Sequence, residues 1–389
     1  MSEIISDFKD SVKIITPEDG YHYFFAYYDM RATGDGINGR HLCHRVKFMD
    51  RQPEADDICE LGYLDGGKFF RIAETTAWNF QQGAMLQYHP TKEDTVYYNV
   101  CEGGKFSTVT HNFKSGEKKY TDRATACVSP DGKWGLAVNF GRIFAFRPGY
   151  GYAGFVDESE SVNAPSDDGV FLTDMESGKS KLLVSYADML GESGFTEKQK
   201  ILVNHITFNT ASDKYVMLVR NFFDGENVWK TSLMLGDLNG GFKTVLKRTT
   251  VSHYFWISRD ELLVFCEVPD GKMMLYVINV ESGEYRSYDS YFFDGTTDGD
   301  IHCSLSPDGE YIIGDGYPID GQYRDILSIK VRTGESKSIL RAKTVVPENG
   351  DIRCDLHARF VFDGKFVSFD TTQNGRREIA LFPTEKIRF

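Results

Sequence analysis

The sequence predicts an all-β fold, a single β-propeller of seven blades in which each blade is a sheet of four antiparallel strands. Helical periodicity is nearly absent, and short β-branched or aromatic runs alternate with Gly, Asp, Asn and Ser turns along the 389 residues. A strand–turn–strand unit recurs, with the turns SPDGK, NTASDK, SPDGE and VFDGK at residues 129–133, 209–214, 306–310 and 361–365. A second turn, such as KSGEKK at residues 114–119, closes an outer hairpin in each unit. Four strands per repeat are typical of propeller blades.

The repeats account for the whole chain, so we expect residues 1–389 to form one propeller domain. The seven units open near Phe24, Gln81, Ala126, His205, His253, His302 and His357. The last unit supplies only three strands. Residues 11–17 (SVKIITP) are a spare N-terminal strand, and we predict that this strand completes the last blade. Such a closure removes the free sheet edges of an open ring.

Two stretches depart from the repeat. Residues 147–168 are rich in Gly, Pro, Tyr and acidic residues and are too long for a propeller hairpin. Long loops in compact folds are usually functional or mobile, so Tyr150 and Tyr152 are candidates for a lid over the channel mouth. Residues 186–200 are predicted to carry one short helix.

The composition excludes several classes of function. With 57 acidic and 44 basic residues the net charge is -13, which repels a nucleic-acid backbone. No apolar run approaches the length of a membrane span. The N-terminus is acidic and does not resemble a signal peptide, and the seven cysteines form no CxxC pair. We therefore expect a reduced, cytoplasmic protein without a nucleic-acid or membrane partner; no feature of the sequence addresses its oligomeric state.

Four of the nine histidines occupy equivalent positions in the repeat. They open the first strands of four successive blades: His205, His253, His302 and His357. In a propeller these starts ring one mouth of the central channel, so the imidazoles are expected to converge as metal ligands or general bases. Asp300 and Asp355, each two residues before one of these histidines, add carboxylates. Nitrogen and oxygen ligands suit manganese, iron, nickel or zinc. Each histidine taken singly has the alternative role of a buried polar group with satisfied hydrogen bonds.

Other polar and aromatic residues near the strand ends are candidates for sugar binding. The amides of Gln81, Gln82 and Asn204 are predicted to orient hydroxyls or, alternatively, to tie blades together. A guanidinium is the natural partner of a substrate carboxylate, and the candidates are Arg31, Arg142, Arg147, Arg220, Arg353 and Arg359, with inter-blade ion pairs as the alternative. The tyrosines that could stack on sugar faces, or simply pack between blades, are Tyr27, Tyr28, Tyr150, Tyr152, Tyr254 and Tyr317, the last of which lies outside the residues described below. Motifs for nucleotide binding and for serine hydrolysis are absent from the sequence.

The blade openings at residues 251–263, 301–318 and 356–382 (VSHYFWISRDELL, IHCSLSPDGEYIIGDGYP and LHARFVFDGKFVSFDTTQNGRREIALF) resemble the C-terminal blades of oligogalacturonate lyases. The resemblance implies a seven-bladed propeller, an intracellular setting and β-elimination on short uronic-acid oligosaccharides. It also implies a metal of the manganese type held by histidines and a glutamine, with His302 or His253, together with His357, at the histidine positions. The stretch DIRCDLHAR at residues 351–359 departs from the family, because Asp355 replaces one histidine and no glutamine is present.

The chain also resembles ulvan lyases, rhamnosyl-glucuronate lyases and propeller α-rhamnosidases. The lyases among them use a His and Tyr acid–base pair with arginines over the carboxylate. Gln81 and Ala126 stand where that pair is expected here, whereas Arg142 falls at an arginine position.

The sequence thus predicts a lyase for uronic-acid-containing oligosaccharides. We expect His205 or His253 to be the base, and Arg220, Arg353 or Arg359 to neutralise the carboxylate with a divalent metal, most readily manganese, on His302, His357 and Asp355. Two alternatives stay open at this point. One is a propeller glycoside hydrolase using carboxylates such as Asp29, Asp300 and Asp355, and the other is a non-catalytic carbohydrate- or protein-binding propeller.

Overall fold

A computed structural model describes residues 8–34, 39–155, 157, 159–222, 229–269, 271–287, 300–316, 318, 321–344 and 347–387. The described part of the chain begins with a helical turn, α1 (Phe8–Ser11), and a two-residue strand, β1 (Lys13–Ile14). Seven four-stranded antiparallel sheets follow, which confirms the predicted all-β propeller. Within the described ranges, no helix is long and apolar enough to cross a membrane.

The first three blades run from residue 22 to residue 185. The first blade comprises β2 (His22–Phe24), β3 (His41–Val46), β4 (Cys59–Asp65) and β5 (Lys68–Thr75). The second blade comprises β6 (Gln87–Tyr88), β7 (Thr95–Glu102), β8 (Lys105–Asn112) and β9 (Lys118–Tyr120). The third blade comprises β10 (Thr125–Val128), β11 (Trp134–Ala137), β12 (Gly169–Asp174) and β13 (Ser180–Ser185).

The remaining blades follow the same order. The fourth blade comprises β14 (Ile201–Phe208), β15 (Lys214–Asn221), β16 (Thr231–Asp237) and β17 (Phe242–Thr249). The fifth blade comprises β18 (Val251–Trp256), β19 (Glu261–Glu267), β20 (Met273–Asn279) and β21 (Tyr285–Ser287). The sixth blade comprises β22 (His302–Leu305), β23 (Tyr311–Asp315), β24 (Tyr323–Lys330) and β25 (Ser336–Lys343). The last comprises β26 (Arg359–Val361), β27 (Phe366–Thr371) and β28 (Glu378–Pro383), with β1 as its outer strand.

The pairing of β1 with β28 closes the ring. Lys13 lies opposite Leu381 and Ile14 opposite Ala380, in antiparallel register. The predicted completion of the last blade by the N-terminal strand is therefore confirmed. Both ends of the described chain are tied into one sheet, so this blade presents no unpaired edge left by a missing strand.

The inner strands of the blades are buried on both faces, because each blade packs between two neighbours, whereas outer strands such as β9 and β21 are exposed. In β15, for example, every residue from Tyr215 to Asn221 is buried. First strands of neighbouring blades, such as β18 and β22, contact each other, which places the first strands around the central axis. Residues that begin these strands consequently share one end of the channel.

The third blade carries the long insertion, between the end of β11 at Ala137 and the start of β12 at Gly169. It contains α2 (Phe140–Phe146) and a 3-10 turn, Pro148–Tyr150. The insertion was predicted at residues 147–168 and therefore starts earlier than expected. Helix α2 was not predicted, because FGRIFAF is a short, largely aromatic run that favours strands. The helix begins at Asn139, whose side chain accepts a hydrogen bond from the Arg142 backbone N–H.

The predicted helix after the third blade is present as α3 (Tyr186–Ser193). Its N-terminus is a capping box. Ser185 Oγ accepts a hydrogen bond from the Asp188 N–H, and the Asp188 carboxylate accepts one from the Ser185 N–H. This helix packs against β17 and leads the chain into the fourth blade.

Candidate functional site

Four imidazoles lie side by side at one end of the first strands. His205 lies in β14, His253 in β18, His302 at the start of β22 and His357 just before β26. The ring centroids are 6.4 Å apart for His205 and His253, 3.9 Å for His253 and His302, and 4.3 Å for His302 and His357. The structure therefore brings together the four histidines that the repeat pattern singled out.

The backbone is irregular where it carries these histidines. The pairing of β14 with β15 passes from Asn204 to Ile206 and leaves His205 in a bulge, and a similar shift occurs between Val251 and Tyr254 around His253. His205 and His357 have φ angles of 53° and 45°, in the left-handed region. Bulges re-aim side chains, and non-glycine residues keep such angles only where the surrounding structure imposes them. The backbone thus turns these imidazoles out of the sheet pattern and towards the channel.

Two of the histidines have a carboxylate close to the Nδ1 atom. His253 Nδ1 lies 2.8 Å from Asp300 Oδ1, and Ser252 Oγ donates to Asp300 Oδ2 at 2.8 Å. His302 Nδ1 lies 3.2 Å from Asp315 Oδ1. For His253 the hydrogen-bonded carboxylate fixes the ring orientation and leaves Nε2 as the nitrogen that accepts a proton. His302 Nδ1 and Asp315 Oδ1 are close in space but do not form a hydrogen bond.

Burial keeps most of these imidazoles neutral. It lowers the pKa of His205, His302 and His357 well below the usual value of 6.5, and neighbouring cationic or imidazole groups add to the effect. Burial alone would raise the pKa of Asp300, but the contacts with His253 and Ser252 outweigh it and the pKa is lowered. The site therefore combines neutral nitrogen bases with an ionised carboxylate.

His302, Asp355 and His357 form a group that fits a divalent metal. One ligand atom from each lies within 4.8 Å of the others, and all three residues are buried. Neutral imidazoles and a carboxylate are ligands that manganese and zinc both accept. The three predicted metal ligands are therefore adjacent.

Asp355 is also held by two arginines. Its Oδ1 accepts a hydrogen bond from Arg353 Nε at 3.0 Å and forms an ion pair with Arg324, and its Oδ2 lies 2.8 Å from Arg353 Nη2. Burial would raise the pKa of Asp355, but the two guanidinium groups drive it well below its usual range. A metal here would share this carboxylate with both arginines. Arg324 lies in β24, where no sequence pattern distinguished it from other arginines.

The floor of the site is an excursion of the first blade that the sequence analysis did not predict. Phe24 is paired with His44 of β3, and the next backbone hydrogen bond between these segments runs from Leu42 N to Ala32 O. Residues 25–31 therefore leave the sheet of the first blade. Ala26, with φ of 72°, lies in this excursion. The only sequence signal was the aromatic run FFAYYD at residues 24–29.

The excursion places two tyrosines against the histidines. Tyr27 Oη lies 2.9 Å from His205 Nδ1, with the two rings stacked at 5.9 Å. The Tyr28 ring lies 5.4 Å from His302 and 5.6 Å from His357, and its hydroxyl donates to the Tyr254 carbonyl. A His and Tyr pair is therefore present, but it is formed by His205 and Tyr27 rather than at the positions of Gln81 and Ala126.

The cavity enclosed by these side chains measures about 10 Å³, which is room for about one water molecule or one ion. Its lining residues are Tyr27, Tyr28, Gln81, Tyr150, His205, His253, His302 and His357.

Two turns close the cavity from outside. Gln81 Nε2 donates to the carbonyls of Asp351 and Arg353 at 3.0 and 3.1 Å. The Tyr150 ring lies 5.6 Å from His205, and its hydroxyl accepts a hydrogen bond from Arg353 Nη2. Gln81, Tyr150 and Arg353, all predicted to bind substrate, are thus next to the histidines.

The remaining amide candidates support the wall of the site. Arg220 Nη1 donates to Asn204 Oδ1 at 2.9 Å, and Arg220 Nη2 donates to the Val251 carbonyl, which joins the fourth and fifth blades. Gln82 Nε2 lies 3.4 Å from His205 Nδ1. Tyr254 is buried in a hydrophobic cluster between the same two blades, and its hydroxyl accepts a hydrogen bond from Thr207 Oγ1 at 3.4 Å. Asn204, Gln82 and Tyr254 therefore act on the site through neighbouring residues.

Two predicted substrate-binding residues have to be corrected. All five N–H donors of Arg142 are used inside the insertion and its junction with β14, on Ile201 O, Asp157 Oδ2, Ser159 O, Val162 O and Asn163 O. Arg142 is fully buried and clamps the insertion. Tyr152 is fully buried too, stacked 4.2 Å from Phe140, and is not a lid residue.

Arg359, predicted to neutralise the substrate carboxylate, also has a different position. Its Nη2 donates to Asp370 Oδ1 at 2.9 Å, and its Nη1 donates to the Ala26 carbonyl at 3.3 Å. Asp370 Oδ2 in turn accepts the Ala26 N–H at 2.8 Å. The buried pair of Arg359 and Asp370 therefore anchors the excursion that carries Tyr27.

The fold and the site define a seven-bladed propeller with a histidine-lined, tyrosine-floored cavity on its axis. It is similar to the solved structure of an oligogalacturonate lyase in complex with manganese, at 14% identity over 100% of this chain and 97% of the other, with a TM-score of 0.67. An oligogalacturonate lyase from Vibrio parahaemolyticus matches at 12% identity, 100% and 97% coverage and a TM-score of 0.67. A puromycin-hydrolysing peptidase from Mycobacterium tuberculosis matches at 10% identity, over 97% of this chain and 56% of that one, with a TM-score of 0.53.

At these identities the similarity shows the fold alone. No protein-family model matches the chain, and no curated protein matches it. The resemblance to ulvan lyases, rhamnosyl-glucuronate lyases and α-rhamnosidases stays a prediction.

Proposed function

We propose that this protein is a lyase that cleaves uronic-acid-containing oligosaccharides by β-elimination. The observation that carries the proposal is the convergence, in one small cavity, of a His253 and Asp300 pair, a His205 and Tyr27 pair and a group of metal-ligand type. β-Elimination needs a base for the carbon-bound proton beside the carboxylate, a proton donor for the leaving oxygen and positive charge near the carboxylate. Each requirement has a candidate here.

His253 is the base in this proposal. Because Asp300 lies at Nδ1, the Nε2 lone pair of His253 is the one available for proton abstraction. The base takes the proton from the carbon next to the substrate carboxylate, the electron pair forms the new carbon–carbon double bond, and the bond to the leaving glycosidic oxygen breaks. The products are an unsaturated uronate and a shortened sugar.

Tyr27 protonates the leaving oxygen, with His205 as its partner. Burial raises the pKa of Tyr27 well above 10, so the hydroxyl is protonated at neutral pH and available as a donor. His205 Nδ1, at 2.9 Å, orients that hydroxyl. Tyr27 loses its proton to the departing sugar and regains one from solvent, and His253 releases to solvent the proton that it took from the substrate, so the cycle is neutral in protons.

A divalent metal, manganese by preference, would be held by His302, His357 and Asp355. When bound, it would supply a Lewis acid that stabilises the negative charge developing on the substrate carboxylate. Arg353, in contact with Asp355, adds positive charge to the same side. The cytoplasmic location and the anionic oligosaccharide partner belong to this proposal as well.

The test is an assay of purified protein on a panel of uronate oligosaccharides, with galacturonate and glucuronate linkages, with and without added manganese. An ultraviolet absorbance rise from unsaturated product supports the proposal, and His253→Ala should abolish it. His22→Ala is the control, because His22 is half-buried in β2 outside the cavity lining. Reducing sugar released without absorbance change would mean hydrolysis, and no turnover on any substrate would favour a binding propeller; either result rejects the lyase.

A further inference from the structure

Two turns meet over the histidine cavity and are joined by one carboxylate. They are the 3-10 turn Pro148–Tyr150 of the insertion and a second 3-10 turn, Gly350–Ile352. Asp351 Oδ1 accepts a hydrogen bond from Arg147 Nε at 2.7 Å, and Asp351 Oδ2 accepts one from the Gly149 N–H at 3.1 Å. Each carboxylate oxygen thus has its own donor in the insertion.

The contact depends on glycine at position 149. A Cβ built on Gly149 would lie 2.6 Å from Asp351 Cβ and 2.9 Å from Asp351 Cγ, closer than atoms approach in folded proteins. The absent side chain is what allows the carboxylate to reach the backbone N–H. The insertion therefore presents a close-fitting receptor for a carboxylate group.

This receptor has the chemistry of a uronate-binding site. A guanidinium and a backbone N–H together recognise both oxygens of a carboxylate with directional bonds. The Arg147 guanidinium lies 4.6 Å from the Tyr150 ring centroid and 5.8 Å from that of Trp229, so aromatic faces of the kind that pack on sugar rings surround it. The side chains of Arg147 and Asp351 are 28% and 16% exposed, so the pair is reachable from water.

The closed turns also shut the cavity. The space beneath them, about 10 Å³, does not hold a sugar ring, so a sugar reaches the histidines only after the turns separate. The second turn is held down by Asp351, by the two hydrogen bonds from Gln81 and by Arg377 Nη2, which donates to the Ile352 and Arg353 carbonyls. The hydrogen bond from Arg353 Nη2 to the Tyr150 hydroxyl also links the two turns. Release of Asp351 from Arg147 removes the only ion pair described between the two turns and leaves the hydrogen bonds of Gln81, Arg353 and Arg377 to be broken.

We propose that Asp351 is an internal stand-in for the substrate carboxylate. In the free protein it occupies the receptor formed by Arg147 and Gly149. An incoming uronate displaces it, takes over both hydrogen bonds and frees the turn Gly350–Ile352 to move aside. The exchange replaces one carboxylate by another, so the guanidinium is paired before and after binding. The identification of the ligand as a uronate rests on the proposed function.

The test is calorimetric titration of the full chain with the monosaccharide galacturonate and, in parallel, with neutral galactose. Asp351→Asn removes the competing charge, so we expect it to bind galacturonate about tenfold more tightly than the wild type and galactose no better. Arg147→Gln, alone or with Asp351→Asn, should lose the preference for the acidic sugar. Gly149→Ala keeps every charge but places a Cβ where a carboxylate approaches the backbone N–H, so it should bind galacturonate more weakly than the wild type. Glu261→Gln breaks the exposed ion pair with Arg286 in the fifth blade and should behave as the wild type.

Several outcomes would overturn the proposal. One such outcome is an Asp351→Asn variant that melts at the wild-type temperature but binds galacturonate no more tightly than the wild type, or not at all. This result would show that a uronate does not displace Asp351. An equal gain for galactose means that the variant opens the cavity without exposing a carboxylate receptor. The monosaccharide has no glycosidic bond to eliminate, so the binding result stands even if the lyase assay fails. If the wild type has lyase activity but Asp351→Asn binds galacturonate as the wild type does, the displacement by Asp351 is rejected and the proposed lyase function stands.

Discussion

Asp300 Oδ1 lies 2.8 Å from His253 Nδ1, and this contact crosses from the start of the sixth blade to the fifth. His253 lies in β18, while Asp300 lies two residues before the first strand of the next blade, so the orientation of the imidazole depends on the packing of two blades. The geometry of the proposed base is thus a property of the closed ring rather than of one hairpin.

The Asp300→Asn variant tests the role of this contact. An amide keeps the size of the side chain but removes the charge that fixes the imidazole tautomer, so we expect kcat to fall about 10- to 100-fold with a small change in KM. The measurement is the initial rate of unsaturated product formation. Ser252→Ala, which removes the hydrogen bond to Asp300 Oδ2 only, is the control and should lower kcat less. An unchanged kcat for Asp300→Asn would contradict the assignment of His253 as the base.

The Tyr27→Phe variant tests the proposed proton donor. It removes only the hydroxyl that contacts His205, so kcat should fall about 100-fold or more while the variant stays folded. Tyr28→Phe is the matched control, because the Tyr28 hydroxyl donates to a backbone carbonyl, and its loss should have a smaller effect on kcat. Equal losses in the two variants would mean that both tyrosines act through packing.

Metal content tests the group formed by His302, Asp355 and His357. After incubation with manganese and removal of unbound metal, we expect elemental analysis to find about one equivalent in the wild type and none in a His302→Ala/His357→Ala variant. His22→Ala should keep its metal. A wild type that retains no manganese would contradict the assignment of these three residues as a manganese site.

The buried pair of Arg359 and Asp370 tests the structural role assigned to Arg359. Asp370→Asn leaves a fully buried guanidinium without its charge partner and weakens the bonds to the backbone of the excursion. We expect the free energy of unfolding to fall by about 3–5 kcal/mol, measured by denaturant titration. Glu261→Gln, which breaks an exposed pair, should change it by less than about 1 kcal/mol. Similar values for the two variants would contradict the anchoring role.

The sequence predicted those features that recur with the repeat. The blade count, the completion of the last blade by β1 and the convergence of His205, His253, His302 and His357 all follow from one strand pattern repeated around a ring. Periodicity carries this information because equivalent positions in successive blades occupy equivalent places around the axis.

Features that occur once were missed. The excursion carrying Tyr27 breaks the repeat, and its contact with His205 joins residues 178 positions apart in the chain. Arg324 on Asp355 and Asp351 on Arg147 are pairings of the same kind. Charge and residue type make such residues candidates, but only the packing of distant blades selects the partner. Arg142 and Arg359 were predicted to contact substrate for the same reason, because the sequence does not show their buried partners.

Two histidines of the first blade give the fold a dependence on pH. Burial lowers the pKa of His41 and His44 to about 3, from 6.5. His44 Nε2 accepts a hydrogen bond from the Ala84 N–H at 2.9 Å, which requires this nitrogen to carry no proton. In the folded state both rings are therefore neutral throughout the physiological range.

These histidines should destabilise the protein as the pH falls. Because the pKa of each ring is lower in the folded than in the unfolded chain, the contribution of these rings to the free energy of unfolding is fully present above about pH 6.5. It is lost progressively as the pH falls towards 3, where the folded rings also take up protons. Between pH 7 and pH 5 each should lower the free energy of unfolding by about 2 kcal/mol, since the unfolded chain binds a proton that the folded chain does not. Urea unfolding at the two pH values measures this. His44→Gln, which keeps an acceptor for Ala84 but cannot titrate, should show a smaller decrease than the wild type, and equal free energies at pH 7 and pH 5 in the wild type would contradict the neutral burial of these rings.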